Sequence, residues 1–118
     1  MGRSPGEFEQ LLLFAILRLG PEEAYGARIR REVEGRTGRD VSVGAVYTAL
    51  DRLRARGLVA VREGSGTPAR GGRRRKFYDL EPAGARELHE SWSGMRRMAE
   101  GVSDLLRERA AAAGEENG

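Results

Sequence analysis

The chain has 118 residues, a formal net charge of +3 and no cysteine. This length suits one domain with at most an appended helix, and the lack of cysteine excludes disulfides and thiolate metal sites. No apolar run approaches the length of about 18 residues that a membrane span needs, and no secretory signal is recognisable at the N-terminus, so we expect a cytoplasmic protein.

The first predicted helix covers residues 7–19, between Ser4-Pro5 and Gly20-Pro21. One apolar stripe contains Phe8, Leu11, Leu12, Ala15, Ile16 and Leu19. A second apolar face contains Leu13, Phe14 and Leu17. A helix that is apolar nearly all round is buried on more than one side, so we expect the second face to meet another subunit.

A second helix is predicted to begin near residue 24 or 25 and to end between residues 35 and 38. Ile29 and Val33 have the spacing of inward-facing positions. Three arginines of this helix are expected to reach solvent or phosphate: Arg28, Arg30 and Arg31. The link that follows is short, which predicts a helix-turn-helix pair with the next helix.

The third helix carries the most informative pattern of the chain. Ser42 is a good N-cap, and Gly57 stands where a helix stops. Val46, Leu50 and Leu53 form a core-facing stripe with helical spacing. The other face offers small, hydroxyl and basic groups: Val43, Gly44, Tyr47, Thr48, Asp51, Arg52 and Arg56.

This third helix has the chemistry of a DNA reader. Its N-terminus offers backbone N–H groups to a phosphate, and Tyr47 and Thr48 can bind phosphates while Val43 or Ala45 contacts a thymine methyl. Gly44 costs about 1 kcal/mol of helix stability relative to alanine, a cost that close approach of a duplex would explain. Each residue alone is equally compatible with ordinary packing or solvation, so the inference depends on the whole set.

Two strands are predicted at residues 58–62 and 75–80, joined by a glycine-rich loop. The loop ends in a basic run that suits a wing on the DNA backbone, formed by Arg70, Arg73, Arg74, Arg75 and Lys76. From residue 25 to residue 80 there are 14 Arg and Lys against 6 Asp and Glu, a local charge of +8. Such a concentration of positive charge is typical of a nucleic-acid binder.

Pro82 opens a long final helix with apolar residues spaced alternately by three and four. The predicted dimer seam contains Ala85, Leu88, Trp92, Met95, Ala99, Val102 and Leu106. Trp92 suits either packing in this seam or, together with Met95, a platform for a flat ligand. His89 is interpreted as a surface residue, and the chain is expected to fray from about Ala110.

The sequence contains no catalytic constellation, so we predict neither an enzyme nor a bound metal or cofactor. Two other functions remain open at this point. One is a winged-helix module that binds protein, which would need an acidic partner for its basic loop. The other is chiefly a small-molecule sensor that binds its ligand at Trp92.

The chain resembles the PadR family of bacterial transcription regulators, in the short form with one C-terminal helix, over about residues 8–106. The resemblance is carried by LLLFAILRLG, Tyr25-Gly26, SVGAVYTALDRLRARGLV and RRRKFYDLEPAGARELHESW. Its most specific positions are Ser42, Gly44, Tyr47, Leu50, Leu53, Gly57 and Leu58. The family usually has threonine where this chain has Glu81, and glutamate is a weaker helix cap.

The resemblance implies a mainly α fold with a small β-hairpin, in which a winged helix-turn-helix (residues 1–81) is followed by a dimerisation helix (residues 82–118). It implies a homodimer that binds a pseudo-palindromic operator in double-stranded DNA and represses a nearby gene until a small hydrophobic or aromatic effector releases it. The helix after Ser42 would read the major groove, the basic loop would be the wing, and Tyr25 would join the DNA-binding set. The final helix would pair with helix 1 of the partner.

Overall fold

The computed structural model describes residues 5–64 and 75–117. Within these ranges there are five helices and one two-stranded antiparallel sheet, where the sequence predicts four helices and one hairpin. The elements are α1 (Glu7–Leu19), α2 (Gly26–Thr37), α3 (Val43–Ala55), β1 (Val59–Glu63), β2 (Lys76–Leu80), α4 (Pro82–Ala99) and α5 (Ser103–Asn117). The predicted fold class, a mainly helical winged helix-turn-helix, is confirmed, and the predicted bounds of α1 are those observed.

The first three helices and the hairpin enclose one apolar core. The stripe predicted for α3 is fully buried, and Ile29 and Val33 of α2 also point inward. The core contains Leu12, Leu13, Ala15, Ile16, Ala24, Ile29, Val33, Val41, Val46, Ala49, Leu50, Leu53, Leu58, Val59, Tyr78 and Leu88. Because burial of such side chains drives folding, this core fixes which face of α3 is left exposed.

The hairpin is attached to the chain segment that leads into α2. Its register places Val59 opposite Leu80 and Arg62 opposite Phe77. The amide of Tyr78 donates a hydrogen bond of 2.8 Å to the carbonyl of Ala24. The structure starts each strand one residue later than the sequence indicates, because Leu58 and Arg75 precede the first paired residues.

The start of α4 lies against the end of α3 and the start of β1. The Leu58 carbonyl accepts a hydrogen bond of 3.0 Å from the Glu81 amide. A Cβ placed on Gly84 would overlap that same carbonyl and lie 3.1 Å from a methyl of Leu80. Backbone contact at Gly84 therefore positions the first turn of α4, which begins after Glu81.

The prediction of one continuous final helix is wrong. Helix α4 ends at Ala99, and α5 begins at Ser103. Gly101 lies between them with φ of +79°, a conformation that an α-helix does not contain. The chain is also helical beyond Ala110, as far as Asn117, so the predicted fraying is not observed.

The chain divides into two compact units, Met1–Leu88 and His89–Gly118, so the first two turns of α4 belong to the first unit. Leu13 and Leu88 are buried within the chain, at 0% and 4% exposure. Because both side chains pack in the core of the single chain, they leave little surface for the predicted dimer interface. Among the helices described, none is both long enough and apolar enough to cross a membrane.

Candidate nucleic-acid interface

Helix α3 turns a capped N-terminus and one complete face toward solvent. The Ser42 side-chain oxygen accepts a hydrogen bond of 3.1 Å from the Ala45 amide, which confirms the predicted cap. Val43 and Tyr47 are 51% and 43% exposed, so both offer apolar surface on this face. The exposed face contains Val43, Gly44, Ala45, Tyr47, Thr48, Asp51 and Arg52.

The surroundings of Gly44 are open. Apart from its chain neighbours and the adjoining backbone of α3, no described atom lies within 4 Å of a Cβ built on this residue. Packing among the described residues therefore does not explain the glycine. The first amides of α3, those of Val43 and Gly44, lack intrahelical acceptors and suit an anion.

A pair of side chains on α2 holds the turn that leads into α3. Arg30 donates from Nε to the Val41 carbonyl at 2.6 Å, and Glu34 accepts from the Val41 amide at 3.1 Å. The two side chains also pair with each other at 3.6 Å. Both backbone polar groups of the buried Val41 are thus satisfied by α2, which sets the direction in which α3 begins. Arg30 therefore has a structural role in holding this turn, which the sequence did not indicate, while its side chain stays 36% exposed to solvent.

The crossing of α2 and α3 depends on Gly26. A Cβ at this position would overlap the ring and hydroxyl of Tyr47. The phenol of Tyr47 therefore lies directly over the start of α2, and this close contact explains the Tyr25-Gly26 pair in the sequence. Tyr47 contacts α2 with one side of its ring while much of the side chain stays exposed.

Four side chains stack at the base of the hairpin. The Arg62 guanidinium lies 4.8 Å from the Phe77 ring centroid, and the Arg75 guanidinium lies 4.2 Å from that of Tyr25. The two aromatic rings meet edge to face, with centroids 5.7 Å apart. Arg62 also donates to the Pro21 carbonyl at 3.0 Å. The stack joins both strands to the N-cap of α2 through cation–π and aromatic contacts.

Tyr78 holds β2 against α3 from inside the core. Its side chain is buried, and burial raises the pKa of the phenol above its usual value. The negative charge of Asp51 on α3 acts in the same direction. A tyrosine phenol is already protonated in neutral solution, and this shift keeps it uncharged to still higher pH.

The predicted DNA-binding residues are brought together in part. Those of α3 share one exposed face, Tyr25 is the half-buried N-cap of α2, and Arg75 and Lys76 are exposed at the start of β2. Arg70, Arg73 and Arg74 lie outside the described residues. Sequence reasoning missed Glu34, Arg62 and the contact between Gly26 and Tyr47, because each acts through a partner distant in the chain.

The residues predicted for a dimer and an effector have mixed surroundings. Phe14 is half-buried, and Leu17 is 60% exposed on α1. The remaining predicted residues of the second unit lie partly or largely open to solvent in the single chain: Trp92, Met95, Ala99, Val102 and Leu106.

Comparison with known proteins shows which family this chain resembles in sequence and in fold. Residues 13–90 match the model of the transcriptional regulator PadR-like family. No curated protein sequence matches the chain. A PadR family transcription regulator from hypervirulent Clostridium difficile R20291 is 26% identical, with 84% of this chain and 98% of that chain covered and a TM-score of 0.65.

Two further structures are similar over most of their length. The padr family transcriptional regulator from Eggerthella lenta DSM 2243 is 26% identical, covers 85% of this chain and 86% of its own, and has a TM-score of 0.62. The complex structure of hsRosR-S1 is 26% identical, covers 96% of this chain and 91% of its own, and has a TM-score of 0.60. With a winged helix-turn-helix fold, an exposed α3 face and a family match over residues 13–90, this chain belongs to the PadR-like family of DNA-binding transcriptional regulators.

Proposed function

We propose that this protein is a homodimeric repressor that binds a pseudo-palindromic operator in double-stranded DNA and releases it when a small hydrophobic or aromatic effector binds. In this proposal α3 reads the major groove, and the hairpin with its basic loop follows the backbone beside it. Such a regulator works in the cytoplasm, where a bacterial chromosome lies.

The exposed face of α3 is the observation that carries this proposal. It combines a capped N-terminus, a glycine that no described contact explains, and uncovered Val43 and Tyr47. Thr48 and Arg52 supply hydrogen-bond donors on the same exposed face. Apolar contact with thymine methyls and donors to phosphates or guanine are what a major-groove helix requires.

A mobility-shift assay on the DNA upstream of the protein's own gene tests the proposal. We expect a specific complex whose log affinity falls linearly with log salt. Tyr47→Ala should weaken this complex while the fold persists, because much of the Tyr47 side chain is exposed. Replacing Arg73, Arg74 and Arg75 by alanine should flatten the salt dependence by about 0.9 for each phosphate that is no longer neutralised. No complex even at low salt would favour the alternative, a winged-helix module that binds protein.

The effector part of the proposal centres on Trp92 and Met95. Both are exposed in the single chain, at 46% and 63%, and both belong to residue types that bind flat hydrophobic molecules well. Trp92 is the single tryptophan, so its fluorescence reports on this site alone. Planar hydrophobic compounds should quench it and weaken the DNA complex in parallel, whereas an unchanged spectrum across a varied panel would contradict effector binding here.

A further inference from the structure

Two arginines from different elements meet on one tyrosine. Arg75, just before β2, places its guanidinium 4.2 Å from the ring centroid of Tyr25. Arg31, on α2, donates from Nη2 to the Tyr25 hydroxyl at 3.4 Å. Both arginines are exposed, while Tyr25 is half-buried and fixed by its edge contact with Phe77. The phenol therefore holds two cationic groups on the same small area of surface.

Neither cation takes part in an ion pair within the described residues. The ion pairs among residues 5–64 and 75–117 involve Arg30, Arg36, Arg39, Arg56 and Arg107, and neither Arg31 nor Arg75 is part of one. Helix α2 also begins here. Its N-cap residue, Tyr25, makes no side-chain capping hydrogen bond, and its first turn contains no acidic residue. Two positive side chains and the positive end of a helix thus share one place, with no counter-charge paired to them in the described part of the chain.

We propose that Arg31 and Arg75 form a clamp for a single backbone phosphate of duplex DNA, with Tyr25 as the positioning residue that holds both arginines. This inference rests on the proposed function. Guanidinium groups suit phosphate oxygens because their planar donors match them in pairs. The clamp adjoins the reading helix, because Gly26, next to Tyr25, lies under the Tyr47 phenol of α3. It would set the register of α3 on the duplex without reading any base.

The salt dependence of operator binding distinguishes a shared phosphate from two separate ones. Arg31→Gln and Arg75→Gln alone should change the slope of log affinity against log salt only slightly, because one arginine still neutralises the phosphate. The double variant should lower the slope by about 0.9 and weaken binding about ten- to a hundredfold. An unchanged slope in the double variant, or a decrease of about 0.9 in each single variant, would overturn the clamp.

Arg36→Gln is the matched control. Arg36 lies on the same helix and its replacement removes the same charge, but it pairs with Glu32, whose carboxyl pKa it lowers through a hydrogen bond of 2.6 Å. Its loss should leave the slope unchanged. Tyr25→Phe keeps the ring under Arg75 and should retain most of the slope, whereas Tyr25→Leu removes the platform and should reproduce the double variant. Equal binding by the phenylalanine, leucine and natural proteins would refute the positioning role.

Failure of the clamp and failure of DNA binding can be separated with inorganic phosphate as the probe. In the full-length protein, phosphate should shift the side-chain Nε–H NMR signals of Arg31 and Arg75 together. The shift of the Arg75 signal should vanish in Arg31→Gln. If the natural protein binds no duplex but this linked shift occurs, the proposed function fails and the anion clamp stands. If the duplex binds and the two signals respond independently, the clamp alone is refuted.

Discussion

At the scale of single residues, Gly44 shows how stability and binding are opposed on α3. No described atom outside its own helix lies near the Cβ position, so Gly44→Ala should raise the free energy of unfolding by about 0.5–1 kcal/mol through helix propensity. In the proposed complex the added methyl would separate the first turn from the duplex. We therefore expect operator affinity to fall about tenfold, as for the removal of one hydrogen bond to a charged group.

Gly35→Ala is a direct comparison for this prediction. Gly35 lies in α2, is exposed, and likewise has no described neighbour within 4 Å of a Cβ. It should stabilise the protein by about 0.5–1 kcal/mol and leave operator binding unchanged. Urea denaturation and a binding isotherm measure the two effects. Equal binding by the Gly44→Ala and natural proteins would mean that the duplex does not approach this turn.

A second prediction at this scale concerns the hydrogen bond between the Val41 amide and the Glu34 carboxylate. Glu34→Ala leaves the buried Val41 amide without its acceptor and should cost about 1–2 kcal/mol in the free energy of unfolding. Glu34→Gln keeps an oxygen that can accept the same hydrogen bond, so it should cost less. Both are measured by urea denaturation. If glutamine is as damaging as alanine, the ion pair with Arg30 outweighs the hydrogen bond to Val41.

The residue scale also shows what a sequence pattern can and cannot predict. The Ser42 cap and the buried stripe of α3 depend on neighbours within two turns, and both are predictable from spacing. Arg30 has the same local signature as Arg31, yet one binds Val41 and the other Tyr25. The two arginines differ because the turn after α2 brings Val41 beside Arg30, and a local sequence pattern does not contain that information.

At the scale of elements, the first turn of α4 is positioned by the absence of a side chain at Gly84. Gly84→Ala would push its methyl into the Leu58 carbonyl, and overpacking of this kind costs about 1–3 kcal/mol. Gly94 lies in the same helix with no described neighbour within 4 Å of a Cβ, so Gly94→Ala should stabilise by about 0.5–1 kcal/mol. Urea denaturation of both variants at equal protein concentration measures the contrast. Similar effects from the two substitutions would show that packing on Leu58 does not position α4.

The break between α4 and α5 could not be predicted from the apolar periodicity of the sequence. The alternation of three and four continues through Val102, because apolar spacing reports which side of a helix is covered and not whether the backbone is continuous. Gly101 with positive φ ends the first helix, and the Val102 amide bonds back to the Ala99 carbonyl at 3.2 Å. Glycine followed shortly by Ser103 and Asp104, both good helix starters, was the local signal for this break.

At the scale of the whole molecule, the second unit has no buried residue among its described side chains, residues 89–114. Met95, Met98, Leu105 and Leu106 are 63%, 78%, 55% and 70% exposed. Short helices without tertiary packing are marginally stable in water, so these residues need a covering surface. A second copy of the chain would provide one, and it would explain why apolar residues recur where the single chain leaves them uncovered.

We therefore predict that light scattering gives a mass near twice 13.0 kDa at micromolar concentration. Leu106→Lys should weaken the dimer by about tenfold or more, since burying a leucine contributes about 1.5–3 kcal/mol. Glu108→Gln changes the net charge by the same amount at an exposed position of α5 and should leave the mass unchanged. In the proposed complex, two copies of α3 would lie one helical turn of DNA apart, so the Leu106→Lys protein should also need a higher concentration to occupy the operator. A monomeric natural protein that binds the operator with full affinity would contradict both the dimer and the two-site geometry.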